Sequence, residues 1–301
     1  RWIRLGGLTL QTSEVAKFEM ILLTAHLASS APQIGRFRPS LKEKVRLKDW
    51  LFIRIVRQII LPVLPLVPVL VLLIMEPHMS GILLTTAIVG TILMMSGSGG
   101  IITWAGAGTA ALLLETLLTH VNSIEYLQKR LKTWSDDLEK LNPQTKQSLY
   151  AIGSGGLKGV GMFVQGSFSQ LDYVPEDWTD FIFSTIGEAW GFVGCAAVVI
   201  VYLLIILRMM YLARYTADRF GQMVILGVMA MLLFHVFENV GMTTGLMPVT
   251  GIPLPFLSYG GSNLVTNMGG IGLVLNVVKN RSITSMPGLA PQTRIRGKYT
   301  K

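Results

Sequence analysis

The stretch VPEDWTDFIFSTIGEAWG (174–191) sets four carboxylates at the edge of an apolar segment that runs to Leu207, or inside it. Glu176 and Asp177 follow Pro175, which suits the first position of a helix, and acids there interact favourably with the helix dipole. Asp180 differs, because FIF follows at once and places it at the apolar boundary itself. Glu188 lies about two turns, or ~12 Å, further in on a similar face. An acid inside a span costs roughly 2.5–3.5 kcal/mol, so it normally has a partner or a role. His235, Glu238 and Asn239 form a second polar patch at helical spacing, within reach of a Glu188–His235 contact.

Three other stretches could carry chemistry. In LGGLTLQTSEVAK (5–17), Glu14 and Lys17 share a helical face three residues apart, as a charge pair at a helix end or as groups reaching a polar cavity. Thr12 or Ser13 could cap that helix. In AIGSGGLKGVGMFVQGSFSQ (151–170), glycines surround Lys158. The segment lacks the Walker A pattern, yet its backbone N–H groups and one lysine could cradle a pyrophosphate, or it could be a flexible surface loop. In GLMPVTGIPLPFLSYGGS (245–262), Pro248, Pro253 and Pro255 forbid a regular helix, while Gly251, Gly260 and Gly261 permit tight turns. Irregular backbone near membrane depth must be buried in protein or line a wet cavity; the alternative is an ordinary external loop.

Composition describes the elements that must hold these groups. Of 301 residues, 51% are hydrophobic and only 14% charged, against about 25% in soluble domains. With a mean hydropathy of +0.53, this is the profile of a membrane protein. Spans are predicted near 15–31, 52–75, 81–97, 100–119, 181–207, 221–246 and 259–278, since about 20 helical residues cross the hydrocarbon. The expected fold is an all-α polytopic membrane protein with about seven transmembrane helices. The prolines of LPVLPLVPVL (61–70) predict a broken helix, read as structural rather than as a transporter site.

The net charge of +9 is clustered. Arg36, Arg38, Lys42, Lys44, Arg46, Lys48, Arg54 and Arg57 surround one short loop, Arg208, Arg214 and Arg219 a second. Lys279 and the basic tail 281–301 make a third. Short loops rich in Lys and Arg stay cytoplasmic, which leaves 120–178 as a long external loop and argues against a nucleic-acid partner. The only cysteine, Cys195, cannot form an intrachain disulfide. His26, His78, His120 and His235 show no metal-ligand spacing. The chain starts at Arg1 rather than Met, so its true start is expected upstream.

RWI (1–3), LQTSEVAK (10–17), AIGSGGLKGVG (151–161), VPEDWTDFIF (174–183), NVGM (239–242) and GLMPVTGIPLPFLSYGGS together resemble the SEDS family of shape, elongation, division and sporulation proteins. The resemblance covers residues 1 to about 280, taken as one transmembrane domain followed by the tail 281–301. It implies a ten-helix glycosyltransferase of the bacterial plasma membrane that polymerises lipid II into glycan strands beside a class B penicillin-binding protein. The family's first three helices have no counterpart after Arg1, so the resemblance implies a fragment or truncated frame. Its essential external carboxylate falls on Asp180, its helix ion pair on Glu14 and Lys17, and its external tryptophan on Trp2.

Lys158, Glu188, Asn239, Ser258, Tyr259, Gly260 and Gly261 are the further candidates for the substrate cavity. Asp180 could act as general base on the acceptor hydroxyl, or hold a divalent cation, Mg2+ or Mn2+, against the leaving pyrophosphate. Three positions depart from the family's pattern: His78 replaces an aspartate, Trp178 a histidine, and Glu238 an apolar residue. Two other functions compete, a flippase for lipid-linked oligosaccharides and an inactive scaffold of the division or elongation machinery. An acid fixed at one face favours the enzyme, because a flippase has no need of one.

Overall fold

A computed structural model describes residues 2–5, 8–30, 56, 60–75, 79–96, 142–162, 164–169, 171 and 173–280. The expected span 100–119, the basic loop around residues 36–57, His78, and the tail lie outside the described residues, as does the side chain of Trp2.

The described chain is mostly helical. It opens on a hairpin, β1 (Trp2–Leu5) paired antiparallel with β2 (Leu8–Gln11), in register Trp2↔Gln11 and Leu5↔Leu8. This corrects the all-α expectation. Two short β-prone runs separated by Gly-Gly are a hairpin signal in the sequence, outweighed there by the long apolar runs. Helices follow as α1 (Thr12–Ser30), α2 (Leu61–Val63), α3 (Leu66–Met75), α4 (Met79–Met95), α5 (Pro143–Gly155), α6 (Ile182–Arg214), α7 (Arg219–Thr243) and α8 (Gly261–Asn280). The predicted spans 15–31, 81–97, 181–207, 221–246 and 259–278 each coincide with one of these helices, and the part of 52–75 from Leu61 onward with the α2–α3 pair.

By length and hydropathy, α6 and α7 can cross a membrane; α2–α3 and α4 are shorter apolar helices. α7 is the hub. It packs against α1, α4, α6 and α8, and 72% of its most apolar window is buried, against 28% for α6. Ile21 and Ala25 of α1, Leu84, Ile88 and Ile92 of α4, and Val274 of α8 close around Ile225, Val228 and Met231 of α7. A helix apolar on all sides is stable only when neighbours or lipid cover every side.

The proline-rich segment behaves as the structural reading expects. Pro62 occupies the first turn of α2, where its missing N–H costs nothing, and the helix breaks at Leu64–Pro65 before α3 resumes. Leu66 then packs with Met20, Val89 and Leu93. The predicted external loop contains a helix that the sequence reading left out. α5 starts at Asn142, whose side chain accepts from Gln144 N–H at 3.1 Å, with Pro143 next. Asn-Pro is a legible start signal.

Candidate active site

Asp180 sits in the turn that precedes α6. Glu176 and Asp177 are not in the first helical turn, as expected from sequence, because α6 begins only at Ile182. Glu176 instead takes a left-handed conformation, φ 58°, and its carbonyl accepts from the N–H of both Thr179 and Phe181 at 3.1 Å. Phe181, 2% exposed, anchors the turn beside Val174 and Ala151. The turn thus holds Asp180 between the anchored Phe181 and the exposed Trp178.

The carboxyl of Asp180 is half-buried and faces Gly251. A Cβ on Gly251 would lie 3.2 Å from Asp180 Oδ2, and the φ of +72° at that residue also favours glycine. Burial, and then the charge of Glu176, push the Asp180 pKa up from 3.8 to about 6. That value suits a base working near neutral pH.

Three successive carbonyls at this turn are occupied. Trp178 O accepts from Tyr259 N–H at 2.8 Å. Thr179 O accepts from Ser258 Oγ at 2.6 Å. Asp180 O accepts from Asn239 Nδ2 at 2.7 Å. Ser258 Oγ also accepts from Leu254 N–H at 2.6 Å, and the second Asn239 amide hydrogen goes to Ile252 O at 2.7 Å. The middle of the 245–260 segment is therefore packed into protein, with Ile252, Leu254, Pro255 and Ser258 buried, while Leu246, Phe256, Leu257 and Tyr259 stay exposed.

Glu188 and the glycine-rich segment belong to one structural device. α6 is broken at Gly191, φ 66° and ψ −162°. The carbonyls of Glu188 and Ala189 accept from Val160 and Gly161 N–H at 2.9 and 3.0 Å, while Phe192 and Val193 N–H donate to the carbonyls of Gly156 and Leu157. The 156–161 backbone thus replaces the two helical hydrogen bonds lost at the break. Backbone groups in an apolar setting must be paired, so the break is stable only with this wedge in place.

Side chains have no room there. A Cβ on Gly155 would lie 2.0 Å from Gly187 O, and one on Gly159 2.2 Å from Ala189 O. The pyrophosphate-cradle reading is corrected accordingly, because the N–H groups of 159–161 are spent on protein carbonyls, and Lys158 is exposed beside them. Nor does Glu188 meet His235. Its carboxylate accepts from the N–H of Phe168 at 2.6 Å and of Ser169 at 3.0 Å, pinning the following loop to α6.

The Glu14–Lys17 pair is formed as its spacing predicts, at 2.6 Å, with the two side chains 4% and 3% exposed. Lys17 Nζ also lies 3.1 Å from His235 Nε2. His235 Nδ1 faces Met231 O at 2.7 Å, so that nitrogen carries the proton and Nε2 accepts from the ammonium. Glu238, one turn on, is buried as well, and Lys17 acts on it electrostatically. Sequence reasoning missed His235 as the partner of Lys17, since a separation of 218 residues leaves no local signal.

The remaining candidates are spread out. Tyr259 is 81% exposed, and Gly260 and Gly261 lead into α8 with no steric demand for glycine. The donors near Asp180 do not fit a resident divalent cation. Among the described residues no three His, Cys, Asp or Glu side chains converge, and Glu176 Oε2 already accepts from Thr179 Oγ1 at 3.0 Å. A hard cation takes about six oxygen ligands, and burial of Asp180 favours its protonated form.

Comparison with known proteins accords with this arrangement. The chain is 33% identical over 292 residues to the peptidoglycan glycosyltransferase MrdB of Escherichia coli K12, covering 95% of this chain and 72% of that one. It is also 33% identical over 293 residues to the probable peptidoglycan glycosyltransferase FtsW of Trichlorobacter lovleyi, covering 96% and 71%. Its fold matches a chain solved in a study of polymerization and crosslinking by a peptidoglycan synthase complex, with TM-score 0.68 and 28% identity over 93% of this chain and 73% of that one. Residues 1–283 match the family of FtsW, RodA and SpoVE, described as cell cycle proteins. A turn-borne acid beside a membrane helix, a buried ion pair in α1 and this match over nearly the whole length lead to one conclusion: the chain is a member of the FtsW/RodA/SpoVE family of integral membrane proteins.

Proposed function

We infer that the chain is a peptidoglycan glycosyltransferase that lengthens glycan strands from lipid II, the undecaprenyl-pyrophosphate-linked disaccharide peptide. The observation that carries the reading is Asp180, a half-buried carboxyl with a pKa of about 6 at the entry to a membrane helix. Ionised, it accepts the proton of the acceptor sugar hydroxyl as that oxygen attacks the anomeric carbon of the donor. The bond from that carbon to the pyrophosphate oxygen breaks, and the lipid pyrophosphate leaves with the electron pair. A carboxyl poised near neutral pH can take this proton and release it to solvent afterwards.

The surroundings support the reading. Tyr259, Ser258 and Asn239 hold the backbone of the turn by hydrogen bonds, and near-attack geometry is what a two-substrate transfer requires. The proposed setting is the bacterial plasma membrane, spanned several times, with lipid molecules around the bundle and a class B penicillin-binding protein as partner. In this proposal 120–178 faces outward, while the basic loops and the tail 281–301 face the cytoplasm. An impermeant thiol reagent on intact cells, with Cys195 replaced, should label Lys140→Cys and spare Lys44→Cys; the reverse pattern overturns the orientation.

The pH profile tests the base. Asp180 must be ionised to act, so kcat/KM for lipid II should fall tenfold per unit below about pH 6 and level off above it. Stability moves the other way. The folded pKa lies above the unfolded value, so the native state binds this proton more tightly, and stability is lost as pH rises from about 4 to about 6. A rate that stays flat down to pH 4.5 in a protein that remains folded would remove Asp180 from the proton transfer.

A further inference from the structure

The hydrogen bonds around the Asp180 turn go beyond what a loop needs merely to stay folded. Three donors meet three successive carbonyls, at Trp178, Thr179 and Asp180, and they come from the 258–259 segment and from α7. Asn239 stands out among them. It is fully buried, so it cannot touch a substrate, and its two amide hydrogens go to Asp180 O and Ile252 O, both at 2.7 Å. Ile252 follows Gly251, the residue that faces the Asp180 carboxylate. One side chain therefore ties the turn that carries the acid to the segment opposite that acid. Ser258 performs a second such tie, joining Leu254 N–H to Thr179 O through one hydroxyl.

We propose that Asn239, seconded by Ser258, is a positioning residue that sets the distance and direction of the Asp180 carboxylate relative to the Gly251 wall. This rests on the reading of Asp180 as the base. With the carbonyls of 178–180 held, the acid retains only its own side-chain torsions, and the lack of a side chain at Gly251 leaves the carboxylate its space. Without Asn239, a buried carbonyl at Ile252 and a part-buried one at Asp180 lose their donor and the turn and wall can separate, admitting water to the carboxyl. A shift of about 1 Å in a reacting group can cost roughly a hundredfold in rate. Neither residue would matter to ground-state binding of a substrate it does not touch.

The experiment uses the full-length protein with its partner, and lipid II polymerisation as the readout. Asn239→Ala should lower kcat about tenfold to a hundredfold with KM changed less than about threefold. Its acid limb should move below that of the wild type, because a wetter carboxyl ionises more readily. In an Asp180→Asn background the same change should cost nothing further, since its effect passes through the acid. Equal losses in both backgrounds, or a loss confined to KM with an unmoved acid limb, overturn the proposal. If Asn239→Ala fails to fold, Ser258→Ala should show the same signature and Ser258→Thr should restore the rate; a threonine variant as slow as the alanine one overturns it. Full activity in Asp180→Asn alone would sink the base reading itself, and the positioning role with it.

Discussion

Asp180→Asn should leave the protein folded and bound to its partner while lipid II polymerisation falls by about 10²–10⁴-fold, the usual contribution of a general base. Asparagine is nearly the same shape and can still hydrogen-bond, so the turn has no reason to rearrange. Its carbonyl is retained as the acceptor of Asn239 Nδ2. What it loses is the capacity to take a proton. The change also removes the cost of ionising a half-buried acid next to Glu176, so at pH 7 the variant should melt at or above the wild-type temperature. Loss of rate without loss of stability separates a chemical role from a structural one. Glu176→Gln, which removes the nearby charge, should cost far less and should lower the pH at which the rate falls off. Near wild-type polymerisation by Asp180→Asn would defeat the assignment and return the flippase and scaffold readings to the front.

Lys17→Met is expected to act on the fold. The ammonium is 3% exposed and lies 2.6 Å from Glu14 Oε1 and 3.1 Å from His235 Nε2, with Glu238 within its field. Methionine keeps most of the volume and removes the charge, so Glu14 loses its cation in a site that water cannot reach. Removing one partner of a buried pair typically costs about 3–5 kcal/mol. For a chain of this size that amounts to a fall of roughly 10 °C in melting temperature in detergent. The double variant Lys17→Met, Glu14→Gln should recover part of the loss, because the two deletions share one interaction. A Lys17→Met protein that melts within about 2 °C of wild type would show that the pair contributes little. Since Lys17 joins α1 to α7 through His235, and Asn239 lies one turn beyond His235, a smaller fall in rate should accompany the loss of stability.

The two variants call for different readouts because the groups differ in surroundings. Asp180 keeps some contact with water and can exchange a proton; Glu14, Lys17 and His235 are sealed between helices and hold one arrangement. A shared gene history does not explain that division of labour, but burial does.

Much of this protein is local and was legible in the residues. Apolar runs gave helices close to where they lie, for example 81–97 against Met79–Met95 and 221–246 against Arg219–Thr243. A spacing of three placed Glu14 and Lys17 on one face, and the FIF that follows Asp180 marked it as a boundary acid. These features depend on periodicity and on transfer energies, which are properties of a short window. What the tertiary structure alone decided is which distant group answers each buried one. Hydropathy did not distinguish α6 from α7, yet one lies at the periphery and the other in the middle of the bundle. Glycines around Lys158 read equally well as a phosphate cradle or a loose loop; the N–H groups of Val160 and Gly161 go instead to the carbonyls of Glu188 and Ala189, freed by the break in α6. Glu188, His235, Asn239 and Ser258 all looked like cavity candidates or cross-span partners, and each is committed to a backbone group or a side chain far away in sequence. A buried hydrogen-bonding group must be satisfied, but the sequence states only the demand; the packing of helices supplies the partner.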